Sequence, residues 1–162
     1  MKAPMILLTA ATLILGCSSA KTSEIDCPPK FTIYKNINDA YPVYTKDFSL
    51  KLKNSLNVAE KIQDTASLDL KKNVTKLRDD LNNISSRVEI LTKSNLIAYF
   101  GGICDPDVRK RFADFQNRLA DITLQLTQIE AKLGPTKGGT KEIDRRVSES
   151  LSITSKISES LN

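Results

Sequence analysis

The chain has 162 residues, with 24 Lys and Arg against 19 Asp and Glu and a net charge of +5, the two signs well mixed. That is room for one domain, and it lacks the concentrated basic stripe of a nucleic-acid binder. His and Trp are both absent, which removes the commonest general base and the commonest metal ligand, so neither a metal nor a cofactor is expected.

Residues 1–16 carry one positive charge, Lys2, and then an apolar run over roughly 5–15. A run of that length fits a signal peptide, whereas a membrane-spanning helix needs about 20 apolar residues. It ends in Ile14-Leu15-Gly16-Cys17. This ending resembles the lipobox of bacterial lipoproteins, with Leu15 where that family usually has a small residue. The resemblance implies cleavage before Cys17, a diacylglycerol on its sulfur, and a mature chain in an oxidising compartment. By the same resemblance, Ser18 implies the outer membrane, with the protein facing the periplasm. The alternative is a short buried N-terminal helix with an incidental thiol. Residues 17–26 then read as a lipidated tether.

Two cysteines remain, Cys27 and Cys104. An even pair in an exported domain predicts a structural disulfide; the alternative is two separate buried thiols. After Cys27, the aromatics Phe31, Tyr34, Tyr41, Tyr44 and Phe48 with Pro42 read as an extended segment packed on helices. A sharper alternative for these aromatics is a recognition loop.

From Leu70 the pattern becomes helical. Leu70, Val74, Leu77, Leu81, Ile84, Val88 and Leu91 alternate spacings of four and three, and Asn95 and Ala98 continue the phase. A second seam runs Val108, Phe112, Phe115, Leu119, Ile122, Leu126, Ile129, Leu133. Such a/d seams specify helices packed against helices. Asp105 and Pro106 mark the start of the second helix, and Gly134 and Pro135 its end. The link through Gly101-Gly102 is short, so the two seams form an antiparallel hairpin over residues 27–133.

The first seam can be traced backwards through Ala66, Gln63, Ala59, Leu56 and Leu52. One helix over 46–100 would be about 80 Å long. With Cys27 bonded to Cys104 at its far end, the connection over residues 27–46 would have to span it, yet reaches at most about 65 Å. Asp64, Thr65, Ser67 and Asp69 cluster where that helix would have to break, and all favour caps and turns. The expectation is therefore a shorter helix near 47–63, an interruption, and a main helix over about 68–100.

Residues 134–141 read as a linker, and 142–162 as an amphipathic helix or a mobile tail. The fold class expected is all-α: a seamed helical hairpin with shorter accessory helices. Leu96, Tyr99 and Phe100 at its closed end either fill the core or form a docking patch. Arg109-Lys110-Arg111 either is a solvated helix face or meets phosphate head groups or an acidic partner. No catalytic constellation occurs: there is no G-x-S-x-G, no phosphate-cradling glycine loop, and no Cys/His cluster. The sequence therefore reads as a non-catalytic, lipid-anchored interaction or scaffold protein. Its partners are the membrane, through the lipid, and a protein or a second copy, through helical surfaces. The alternative is an immunity or exclusion lipoprotein that binds and blocks one partner.

Overall fold

The computed structural model describes residues 30–134 and 139–162, with side chains from Ile37 onward, and is all-α. Four helices follow one another: α1 (Lys30–Thr65), α2 (Leu68–Gly101), α3 (Pro106–Leu133) and α4 (Thr140–Ser160). Cys17 and Cys27 lie outside the described residues. None of the described helices is long and apolar enough to cross a membrane.

The interruption falls where the capping residues cluster. α1 ends at Thr65, whose hydroxyl turns back to the Lys61 and Ile62 carbonyls, and Ser67 is the extended N-cap of α2. Asp69 adds negative charge at the positive end of the α2 dipole.

The extended aromatic segment is corrected: it is the first half of α1, a 36-residue helix with Pro42 inside it. Its described aromatics, Tyr41, Tyr44 and Phe48, are packing positions. Ile37, Tyr41, Tyr44, Phe48, Leu52, Ser55, Ala59 and Ile62 form its inward face, and Ile37, Phe48 and Ile62 are buried. Pro42 removes one helical N–H and crowds the preceding turn, at a cost of about 3 kcal/mol in a helix interior. Tertiary burial of the aromatics overrides it. The register in the second half of α1 also differs: Ser55 and Ile62 are buried, whereas Leu56 and Gln63 are only half-buried.

α1 and α3 run parallel, as do α2 and α4. α1 packs into one side of the α2–α3 hairpin and α4 into the other, so α1 and α4 do not meet. The core is a column of Leu, Ile and Val, with Val74, Leu77, Leu81, Ile84, Leu126 and Ile129 fully buried. Each such side chain contributes about 1.5–3 kcal/mol by leaving water. A smaller cluster of Ile37, Leu96 and Phe112 closes the hairpin end, with Tyr44 edge-on to Phe112 at 5.3 Å and Tyr99 stacked on it at 4.2 Å.

The α2–α3 turn is tightly bonded. The Gly102 N–H donates to the Ala98 carbonyl (3.0 Å), the Asp105 N–H to the Gly102 carbonyl (2.8 Å), and the Asp105 carboxylate accepts from the Asp107 N–H (2.8 Å). A Cβ at Gly102 would lie 2.9 Å from Val108 Cγ2, so the closeness of the turn requires glycine there.

A candidate docking groove beside the hairpin end

The groove follows from unequal helix lengths. α4 has 21 residues, against 34 in α2 and 28 in α3. Its inward face, Ile143, Val147, Ser150, Thr154, Ile157 and Leu161, fills the space between α2 and α3 only up to the level of Val88. There Arg87 closes its C-terminal end, donating to the Ser158 carbonyl (3.2 Å) and to Asn162 Oδ1. A guanidinium at that pole complements the helix dipole.

Beyond α4 the two seams continue with no helix over them among the described residues. On α2 the buried stripe turns aside after Val88 to Thr92 and Leu96, and Leu96 packs with Ile37 of α1. The positions that keep the heptad phase are left half-buried (Leu91, Asn95) or exposed (Ala98). On α3, Val108 and Phe115 are likewise half-buried. Together these side chains line a cleft of about 310 Å³ that begins at Ser160 and Leu161, and a contiguous one of about 190 Å³ that reaches Val108. From Leu91 to Gly101 the open stretch is about 15 Å, three turns of helix.

Three ionisable groups stand along the α3 wall: Arg111, Asp114 and Arg118, all exposed. Hydrogen bonds from Arg145 and Arg146 hold the Glu142 carboxyl down at about 2. Lys132 of α3 donates to Glu149 (2.6 Å) and lowers its carboxyl as well. α4 is thus tied to α3 by the Lys132–Glu149 pair, and to α2 by Asn73 donating to Asp144 (3.2 Å) and Thr154 donating to Asp80 (3.2 Å).

The residues singled out from sequence divide between core, turn and groove. Leu96 is fully buried and Phe100 half-buried in the cluster that seals the hairpin end, so these two belong to packing. Tyr99 is half-buried; it stacks on Phe112 and lends an edge to the groove. Arg109 is turned into the turn, its Nη1 donating to the Ile103 carbonyl at 2.8 Å. Lys110 is exposed away from the groove, and Arg111 stands on its wall. Cys104 is exposed and disulfide-bonded; the identity of its partner lies outside the described residues. Sequence reading missed Leu91, Asn95, Phe115 and Arg118 as surface groups because each lies on or beside a seam that reads as covered. The signal was available as a length mismatch, since a tail helix within 142–162 cannot cover a hairpin with much longer arms.

Comparison with known proteins finds no matching family model, no similar curated protein and no similar solved structure.

Proposed function

We propose that this is a lipid-anchored, non-catalytic helical docking protein of the bacterial envelope, held at Cys17 to the outer membrane on its periplasmic side. The observation that supports it is the continuation of two coiled-coil seams past the helix that covers them. Leu91, Asn95, Ala98, Val108 and Phe115 keep the phase of packing positions, yet no helix among the described residues lies over them. An amphipathic helix laid into an apolar groove is a recurrent mode of protein recognition.

Among the described residues α1 and α4 lie over most of the rest of the seams, so this open stretch is compact and sits at one end. That compactness also favours a second reading, an immunity or exclusion protein that holds a single partner.

A photo-crosslinking residue at Asn95 or Ala98, compared with one at Ile90 or Leu124 on the outer faces of α2 and α3, tests the docking site in cells. Ile90 and Leu124 are 68% and 60% exposed, so collision with bystanders favours them. A discrete adduct from the groove positions alone is the expected result, and equal labelling at all four positions defeats the reading. Labelled palmitate should enter the wild-type chain and not C17A.

A further inference from the structure

We infer that the groove accepts an amphipathic helix of another protein that carries two carboxylates seven residues apart along the flank facing α3. The inference rests on the docking reading above and adds the partner's chemistry.

It comes from the heptad phase of the two walls. In the phase set by Val108, Phe112 and Phe115, the α3 positions bordering the α4 side recur at Arg111, Arg118, Gln125 and Lys132. Such flanking positions decide which helix pairs with which through charge. The structure contains one worked instance: Lys132, the last of the series, bonds Glu149 of α4 at 2.6 Å. Arg118 and Arg111 repeat the basic charge along the same flank where α4 no longer reaches, and no ion pair to either is formed among the described residues. Asp114 lies between them and also lines the cleft, one heptad position farther from the seam than the two arginines.

The opposite wall is neutral. On α2 the positions that meet α4 recur at Asn73, Asp80 and Arg87, and the series continues as Ser94 and Gly101. A helix entering in line with α4 therefore meets ionisable groups on one side only, two arginines nearest the seam against one aspartate behind them. Three turns of seam is a small interface, so binding falls in the weak, transient class, where charge at the rim decides the partner.

The test uses the full chain in mild detergent and two synthetic stapled helices of about 15 residues. Both carry the same Leu seam; one has Glu and the other Lys at two flank positions seven apart. The Glu peptide should bind, and the Lys peptide about tenfold more weakly. R111E/R118E should invert that order, as expected for two rim pairs changing sign together. Both arginines are exposed, so the fold should survive, with R111Q/R118Q as a milder check that abolishes the preference without inverting it. A98W, which fills the groove, should remove binding of either peptide. Equal binding of the two peptides, no binding of either, or indifference to the reversal overturns the acidic-helix inference. So does sedimentation showing a dimer with the groove occupied by a second copy. Groove-specific crosslinks with no charge preference would leave the docking site standing and remove only the partner's chemistry; loss of those crosslinks removes the site itself.

Discussion

Two adjacent glycines at the hairpin end show how finely position decides a residue's worth. Gly101 is the last residue of α2, and a Cβ there would meet nothing within 4 Å, whereas one at Gly102 would press into Val108. G101A should therefore be neutral or stabilising by up to about 1 kcal/mol, the helix-propensity gain of Ala over Gly. G102A should lose about 1–3 kcal/mol through overpacking, with V108A in the same chain restoring part of it. Urea denaturation of the three variants is sufficient; similar midpoints for G101A and G102A would mean the turn is looser than its hydrogen bonds imply. Pro42 offers a complementary case. It is exposed inside α1, so P42A should regain a helical hydrogen bond while losing less than about 1 kcal/mol from the greater freedom of the unfolded chain. A net gain of about 1–2 kcal/mol is expected, and an unchanged or lower melting temperature would show that the proline is needed where it stands.

Among the elements, α4 is joined to the hairpin by charged and polar contacts as well as by apolar packing. Ser150 and Thr154 occupy its buried face, and its ties to the hairpin include Lys132–Glu149 and Thr154–Asp80. Glu142 braces the helix internally through Arg145 and Arg146. Both carboxyls are lowered in the folded protein, Glu142 from 4.5 to about 2 and Glu149 in the same direction. A carboxyl lowered on folding contributes stability that is complete above its unfolded value and lost as the pH falls through its folded one. Acidification from about pH 5 to pH 2 should therefore loosen α4 before the α1–α2–α3 core. Hydrogen exchange followed residue by residue would show it, with E149Q giving part of the effect at neutral pH. Uniform loosening of all four helices would contradict the separate standing of α4.

At this scale most of the fold was legible. The two seams, the hairpin, the Asp105-Pro106 start and the break near Ser67 can all be read from spacing and capping chemistry. The helical character of residues 30–47 was not legible, because Pro42 and clustered aromatics resemble a loop until the faces of α2 and α3 against which Tyr41, Tyr44 and Phe48 pack are known. The groove was half legible: Leu91 and Phe115 were identified as seam residues, but which seam residues lack a cover depends on where α4 stops along α2. That is a tertiary distance with no local signature.

For the molecule as a whole, the helix lengths and the proposed anchor together give an orientation. α1 begins at Lys30, and its first half packs at the end of the bundle that carries the α2–α3 turn and the groove. The 13 residues from Cys17 to Lys30 span at most about 45 Å, and α2, with 34 residues, is about 50 Å long. A Cys27–Cys104 bridge would shorten the free tether to residues 17–26, about 35 Å. An anchored chain would thus hang by its groove end, offering the groove to a helix close to the bilayer and holding the α1–α2 turn away from it. Dyes placed by unnatural amino acids at Lys110, near the groove end, and at Ser67, at the opposite end, would report this against vesicles with a labelled headgroup. Energy transfer should be clearly stronger from Lys110 than from Ser67, and absent from both in C17A. The difference should shrink when the disulfide is reduced, since a longer tether lets the bundle tumble. Equal transfer from the two sites in the oxidised protein would mean that the groove has no fixed relation to the membrane, and a partner helix could then come from anywhere in the compartment.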